Sequence, residues 1–132
     1  MALDSLIVLV DTSVIINFMH GKAQHKELFR ELATRKVSLA TSCISVAELY
    51  GGMRVVEEAA TGEMLEAFDI LPVTFEIARK AGLIRGSQRR LGRTFAVDDM
   101  MIAATSNLYN YPLITDNRKD FEIPEIVLFP EF

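Results

Sequence analysis

An unbroken run of apolar residues, Leu6 to Val10, is the feature of the sequence that most constrains the fold. A strand with one face in water alternates polar and apolar side chains, whereas a continuous run is typical of a parallel strand covered on both faces. Asp11 ends the run far short of the roughly 18 apolar residues that a membrane span requires. A secretory signal would require a basic segment before the apolar run, and the sequence has none there. The run therefore predicts a buried central strand in a cytoplasmic protein with no membrane contact.

Strand-like and helix-like patterns alternate along the rest of the chain. Strands are predicted at residues 6–10, 37–41, 70–73, 113–115 and 126–129, and helices at 12–19, 23–34, 45–60, 61–68, 75–91 and 99–108. Such alternation predicts βαβ units with right-handed crossovers. A length of 132 residues fits one domain. We therefore expect residues 1–132 to form a single three-layer α/β/α domain with a mostly parallel sheet of four to five strands.

Several acidic residues follow predicted strands or open predicted helices, and four of them are Asp11, Glu48, Asp99 and Asp116. The carboxyl ends of parallel strands meet at one edge of the sheet, where such folds bind ligands. Carboxylates brought together there repel one another unless a cation neutralises them. Hard divalent cations such as Mg²⁺ and Mn²⁺ prefer these oxygen ligands. The pattern therefore favours a metal site at this edge.

Each of these acids also has a purely structural interpretation. Helix N-caps are the alternative for Asp11 and for either Asp98 or Asp99, and a turn is the alternative for Asp116-Asn117. Ser45-Val46-Ala47-Glu48 matches a capping box, in which Glu48 bonds back to the amide of Ser45. We favour convergence on one metal site over four unrelated caps, because all four acids map to the same edge.

Four segments of the sequence resemble the motifs of a known family. They are Asp11-Thr12-Ser13-Val14-Ile15, Ser45-Val46-Ala47-Glu48-Leu49, Asp99-Met100-Met101-Ile102-Ala103-Ala104 and Leu113-Ile114-Thr115-Asp116-Asn117-Arg118-Lys119-Asp120-Phe121. In this order and spacing they resemble the PIN-domain ribonucleases, and more narrowly the VapC toxins of prokaryotic toxin–antitoxin pairs. The resemblance covers nearly the whole chain and implies a PIN-like (Rossmann-like) domain.

The resemblance implies an endoribonuclease that cleaves RNA phosphodiester bonds with Mg²⁺ or Mn²⁺ as cofactor and leaves a 5′-phosphate and a 3′-hydroxyl. It also implies two protein partners, a cognate VapB-like antitoxin and a second copy of the chain in a homodimer. The alternative function is that of an RNA-processing nuclease of the same fold, or of a non-catalytic RNA-binding subunit, without an antitoxin.

Site residues follow from the resemblance at the positions that match the family. Asp11, Glu48 and Asp99 match its three acidic positions, which implies that they are catalytic and bind the metal. Ser13 and Thr115 match small polar positions that line the pocket. Asp99 is preferred to its neighbour in the sequence because the family acid lies three residues before the Ile of the Ile-Ala-Ala segment.

A fourth catalytic and metal-binding position is assigned to Asp116, and two alternatives stay open. The family pattern places an Asp or Asn two residues after the Thr, which corresponds to Asn117. It also places an acid directly before the Phe, which corresponds to Asp120. Asp116 directly follows the predicted strand, but its position varies in the family.

The formal net charge of −4 argues against a protein that holds nucleic acid through bulk positive charge. The distribution is more informative, because residues 77–97 contain no acid and include all six residues of a basic cluster. Its members are Arg79, Lys80, Arg85, Arg89, Arg90 and Arg93. We expect RNA phosphates to be contacted by Arg85, Arg89, Arg90 and Arg93. A solvated helix face, or contact with an acidic partner segment, is the alternative.

The two histidines and the single cysteine offer no competing chemistry. His20 and His25 lie near a helix–helix connection, where we expect a solvated or partner-facing role rather than that of a general base. Cys43 is expected to be a buried free thiol. One cysteine cannot form a disulfide within the chain.

Other phosphate-handling folds fit the sequence less well. A haloacid-dehalogenase phosphatase needs a second Asp two residues after Asp11, where Ser13 stands. A receiver domain needs an Asp at the end of its third strand, where residues 72–74 are Pro-Val-Thr. The sequence contains no G-x-G-x-x-G or Walker A motif, which disfavours a nucleotide-binding Rossmann domain.

Overall fold

The computed structural model describes residues 6–130, in which four strands form one parallel sheet. The strands are β1 (Ile7–Val10), β2 (Ser38–Ser42), β3 (Asp69–Leu71) and β4 (Leu113–Ile114). Their spatial order is β3-β2-β1-β4, so the first strand lies inside the sheet. Leu9 pairs with Ala40 of β2 on one side and with Leu113 of β4 on the other. The prediction of a central first strand is confirmed.

Helices connect the strands and cover both faces of the sheet. They are α1 (Thr12–Met19), α2 (Ala23–Thr34), α3 (Cys43–Gly52), α4 (Glu58–Leu65), α5 (Phe75–Arg90) and α6 (Val97–Tyr109), with 3₁₀ turns at Val55–Glu57 and Arg118–Phe121. In α5 the buried residues Ile77, Ala81 and Ile84 lie three or four apart, the spacing of one helix face. Within residues 6–130, no helix is long and apolar enough to cross a membrane.

Side chains of β1 alternate between two hydrophobic cores. Leu9 faces the core that is built with α5 and α6, to which Ile84 and Met100 contribute. Val8 and Val10 face the opposite core, which is built with α1 and α2. Because successive side chains of a strand point to opposite faces, both sides of the sheet are packed. The layers are therefore helix, sheet and helix, as predicted.

The structure divides the third predicted helix differently. The helix predicted at residues 45–60 ends at Gly52, and α4 begins at Glu58 rather than at residue 61. Consecutive glycines are poor helix formers, and Met53, directly after them, is extended with φ −79° and ψ 160°. The chain therefore leaves the helix at the two glycines before α4 starts.

The strand predicted at residues 126–129 is reduced to a single bridge between Leu113 and Leu128. The Leu113 N–H donates to the Val127 carbonyl at 2.9 Å, and the Phe129 N–H donates to the Leu113 carbonyl at 2.8 Å. Because β4 has only two residues, this contact is too short to form a fifth strand.

The start of α3 also corrects a prediction. The Ser42 hydroxyl accepts the Ile44 N–H at 3.0 Å, so Ser42 is the N-cap and Cys43 is the first residue of the helix. Cys43 is exposed there, and the prediction of a buried thiol is wrong.

Candidate metal centre at the carboxyl edge of the sheet

Asp11 stands at the carboxyl end of β1 and caps α1. Its carboxylate accepts the Thr12 N–H at 2.9 Å, the Thr115 hydroxyl at 2.7 Å and the Ser13 hydroxyl at 3.2 Å. Burial raises the pKa of Asp11, and these three hydrogen bonds act in the opposite direction. Ser13 and Thr115, which are expected to line the pocket, therefore both contact this carboxylate.

Glu48 lies in the second turn of α3 and bonds to the start of α1. Its Oε1 accepts the Thr12 hydroxyl at 2.7 Å, and the Ser45 Oγ lies 2.8 Å from the same hydroxyl. Ser45 lies inside the helix rather than before it, so the capping-box interpretation is wrong. Burial raises the pKa of Glu48, the bond from Thr12 opposes the rise, and a hydrogen bond with the side chain of Asp98 adds to it.

Asp98 and Asp99 lie in the first turn of α6, where the helix dipole favours negative charge. The N-cap of α6 is Ala96, so neither acid is the cap. Burial, followed by the charges of Asp98, Asp11, Asp120 and Glu48, raises the pKa of Asp99 to about 7. Asp99 thus lies within electrostatic reach of four other carboxylates.

Asp98 is not among the acids predicted for the site, but it lies beside Glu48 and Asp99 in the structure. The sequence contained a sign of this, because Asp98 directly precedes Asp99 and both open the same predicted helix. We call the five residues Asp11, Glu48, Asp98, Asp99 and Asp120 the acidic crevice.

No Lys or Arg within residues 6–130 forms an ion pair with the acidic crevice. Arginines in the described ion pairs bind acids elsewhere, in the pairs Arg30–Glu27, Arg35–Glu31 and Arg54–Glu57. Oxygen-only ligands suit Mg²⁺ or Mn²⁺ better than softer metals. In the described part of the chain, no three acidic, cysteine or histidine side chains are close enough to bind one ion as they stand. The crevice fits such a cation by its oxygen ligands and its excess of negative charge, and its side chains would have to move closer together to bind one ion.

Candidates for the fourth acidic position differ in their surroundings. Asp116 Oδ2 accepts the side-chain amide of Asn17 at 2.6 Å and lies 2.8 Å from His25 Nε2. Its carboxylate is therefore bonded to α1 and α2. Burial is the main cause of the raised pKa of Asp11, and the charge of Asp116 is the smallest of the contributions. Asp120 is instead one of the carboxylates whose charge raises the pKa of Asp99, after burial.

Asn117 is connected to the crevice through its backbone. Its N–H donates to the Thr115 hydroxyl at 3.0 Å, and that hydroxyl donates to Asp11. The residue itself is exposed.

His25 is 7% exposed, and the prediction of a solvated or partner-facing role is wrong for this residue. Its buried neighbours along α2 are Leu28 and Leu32, so the three residues share one face of the helix. That spacing was visible in the sequence and would have placed His25 on the inner face. His20 is exposed.

Comparison with known families decides the classification. The sequence matches the PIN domain family over residues 8–125. The chain belongs to the PIN domain family. It is 31% identical over 127 residues to Ribonuclease VapC10 of Mycobacterium tuberculosis, with 89% of this chain and 95% of that protein covered. It is 32% identical over 127 residues to a Ribonuclease VapC of Rickettsia bellii, with 90% and 92% covered.

Solved structures with the same fold include proteins from two-component complexes. A toxin–antitoxin complex from Klebsiella pneumoniae matches this PIN domain with 29% identity and a TM-score of 0.75, covering 91% of this chain and 95% of that chain. DNA-bound VapBC from Salmonella typhimurium matches with 25% identity and a TM-score of 0.78, covering 94% and 97%. The parallel sheet flanked by helices is therefore the PIN fold.

The basic cluster of this PIN domain divides into two kinds of arginine. The Arg85 Nε donates to the Phe95 carbonyl at 2.7 Å, and the Arg93 guanidinium lies 5.0 Å from the centre of the Phe95 ring. These two side chains hold the turn between α5 and α6. Arg89 and Arg90 lie exposed in the last turn of α5, where the helix dipole also favours positive charge.

Proposed function

We propose that this PIN domain is a metal-dependent endoribonuclease that acts as the toxin of a toxin–antitoxin pair. The acidic crevice carries the proposal, because five carboxylates approach one another with no Lys or Arg partner within residues 6–130. Relatives that cover most of this chain are named Ribonuclease VapC, which supports RNA as the substrate.

Asp11, Glu48 and Asp99 would hold Mg²⁺ or Mn²⁺, and we assign the fourth position to Asp120. The charge of Asp120 contributes to the raised pKa of Asp99, whereas the Asp116 carboxylate is bonded to Asn17 of α1 and His25 of α2. Asn117 stays the alternative for that position.

The chemistry that the cation supplies when bound is activation of water and neutralisation of charge on the phosphate. Ser13 and Thr115 orient the Asp11 carboxylate through their hydroxyls, and Thr12 orients Glu48. In this scheme water would attack the phosphorus in line and the bond to the 3′ oxygen would break. The oxygen of the water would end on the 5′-phosphate and one of its protons on the 3′ oxygen, which becomes the 3′-hydroxyl. No side chain forms a covalent intermediate in this scheme.

RNA would approach over the end of α5, where Arg89 and Arg90 are free of the turn contacts that involve Arg85 and Arg93. Phosphate contacts of this kind position the backbone without reading sequence. They also explain how a chain with a net charge of −4 can bind a polyanion.

Metal dependence is tested by cleavage of a single-stranded RNA with and without EDTA. We expect chelation to stop cleavage and excess Mg²⁺ or Mn²⁺ to restore it. The Asp11→Asn variant should stay inactive under every condition. Turnover that persists in EDTA would rule out the mechanism.

Toxin action and partners are tested in cells and by co-purification. Induced expression should arrest bacterial growth, whereas expression of Asp11→Asn should not. Coexpression with a VapB-like antitoxin should restore growth and yield a stable complex, since similar chains are found in VapBC and toxin–antitoxin structures. Sedimentation should show a homodimer of the isolated chain. Active nuclease without growth arrest would favour an RNA-processing enzyme that has no antitoxin.

A further inference from the structure

The carboxylate of Asp116 is bonded by two nitrogen donors, one from α1 and one from α2, whereas the side chains that donate to Asp11 are the hydroxyls of Ser13 and Thr115. Asn17 of α1 donates its amide to Oδ2 at 2.6 Å, and His25 of α2 lies 2.8 Å from the same oxygen. The His25 side chain is 8% exposed and that of Asp116 is 24% exposed. A carboxylate can only accept, so His25 donates from Nε2 in this pair.

The backbone of Asp116 is held by the same face of α1. Its N–H donates to the Ser13 hydroxyl at 3.3 Å, and that hydroxyl donates to Asp11 at 3.2 Å. Ser13 and Asn17 are four residues apart, so they are neighbours on one face of α1. One helix face therefore grips Asp116 at its amide and at its carboxylate.

Residues on both sides of Asp116 reach the crevice. Thr115 donates to Asp11 at 2.7 Å and accepts the Asn117 N–H at 3.0 Å. Asp120 follows in the 3₁₀ turn Arg118–Phe121, which continues directly from this segment. We therefore expect a displacement of Asp116 to move two neighbours as well. These are Thr115, which donates to Asp11, and Asp120, whose charge raises the pKa of Asp99.

We propose that Asn17, Asp116 and His25 form an anchor that positions the segment 115–120 against the acidic crevice, and that Asp116 is a positioning residue rather than a metal ligand. The proposal rests on the proposed function, since positioning matters only if the crevice binds a cation. Its physical basis is the direction of the carboxylate, which two donors from α1 and α2 hold by the same oxygen.

An anchor and a ligand make different demands on the side chain at position 116. An anchor needs a hydrogen-bond acceptor at the place of Oδ2, which the carbonyl oxygen of asparagine also supplies. A carboxylate that binds Mg²⁺ or Mn²⁺ also contributes a negative charge, so its replacement by the neutral asparagine weakens binding of the cation. Comparison of Asp116→Asn with Asp116→Ala therefore separates the two roles.

The experiment uses the full chain without RNA and makes two measurements. Calorimetry measures the binding of Mn²⁺, and amide hydrogen exchange measures the protection of residues 115–121. Asp116→Ala should weaken Mn²⁺ binding about tenfold, as loss of an outer partner of a ligand commonly does, and should speed exchange in the segment. Asp116→Asn should recover most of both properties. Asn17→Ala and His25→Ala should resemble Asp116→Ala, and Asp99→Asn should lose Mn²⁺ binding without faster exchange in the segment.

Two results would overturn the anchor. Loss of Mn²⁺ binding in Asp116→Asn as complete as in Asp99→Asn would make Asp116 a ligand. Unchanged exchange and unchanged Mn²⁺ binding in Asp116→Ala would deny it any positioning role. If the unaltered chain binds no Mn²⁺, the proposed function fails, while faster exchange in Asp116→Ala would still show that the segment depends on these three residues.

Discussion

The acidic crevice and the single carboxylate of Asp116 lie at the same edge of the sheet and have different surroundings. On the side of α6, Asp98 and Asp99 approach Glu48 and Asp11, and burial and mutual repulsion raise the pKa of Asp99 to about 7. On the side of α2, Asp116 accepts hydrogen bonds from Asn17 and His25. In the crevice, burial and, after it, the charges of neighbouring carboxylates raise the pKa of Asp99 and of Glu48, whereas the Asp116 carboxylate is bonded by two nitrogen donors.

This difference separates a binding site from a structural contact. Carboxylates that face one another raise the free energy of the metal-free protein, and a cation removes that cost when it binds. Asp116 would have to give up its bonds with Asn17 and His25 in order to bind a cation through Oδ2. The number of acids near an edge is therefore a weaker guide to a metal site than the partners that each acid has.

The largest expected effect comes from removing one charge of the crevice. Asp11→Asn should lower RNA cleavage by at least about 10³-fold, because metal catalysis supplies several kcal/mol and each 1.4 kcal/mol is a factor of ten. Cleavage of labelled RNA measures the rate, and circular dichroism checks the fold. The control is Asp69→Asn, an exposed aspartate at the start of β3, which should cleave normally. Full activity in Asp11→Asn would show that the acidic crevice is not the catalytic site.

An intermediate effect is expected in the pH dependence of the metal-free protein. The pKa of Asp99 is raised by burial and by neighbouring carboxylates from 3.8 to about 7, so the folded protein holds a proton that the unfolded chain releases. Its contribution to the free energy of unfolding therefore falls as pH rises through this range. Asp99→Asn should remove that fall and should be more stable than the unaltered chain in EDTA at about pH 8.

Thermal unfolding in EDTA at about pH 5 and about pH 8 measures this difference. Mg²⁺ should raise the Tm of the unaltered chain more at the higher pH, because its ligands bind as charged groups. Equal pH slopes in the unaltered chain and in Asp99→Asn would show that the crevice carboxylates do not repel one another strongly.

The smallest effect is expected at the basic cluster. Arg89→Ala combined with Arg90→Ala should reduce the salt slope of RNA binding by about 1.4, at about 0.7 for each single-strand phosphate contact. Arg85→Ala combined with Arg93→Ala is the matched control with the same loss of charge. It should lower Tm instead, because these side chains hold the turn at Phe95. Filter binding at several salt concentrations measures the slope, and an unchanged slope in the first pair would exclude the end of α5 from the RNA path.

Features that depend on local pattern were predictable from the sequence. The apolar run Leu6 to Val10 predicted the central strand because only a strand covered on both faces lacks polar positions. Asp11, Glu48 and Asp99 were placed at one edge because parallel strands share the direction of their carboxyl ends.

Features that depend on partners distant in sequence were not predictable. His25 and Asp116 are 91 residues apart, and nothing in either local pattern indicates that they meet. The bond between Glu48 and Thr12 joins α3 to α1, whereas the local pattern favoured a cap within α3. In both cases the partner comes from another element of the fold. The packing of α1 against α3 brings Thr12 to Glu48, and the position of α2 brings His25 to Asp116.

The position of β1 between β2 and β4 also bears on protein synthesis. Asp11 is synthesised before its donor Thr115, which lies 104 residues further along the chain. At about 5–20 residues per second, those residues take about 5–20 s to make. A nascent chain therefore spends this interval with an incomplete crevice, which lacks the hydroxyl that orients the Asp11 carboxylate. Under the proposed function, this interval would precede the first turnover and would give an antitoxin time to bind.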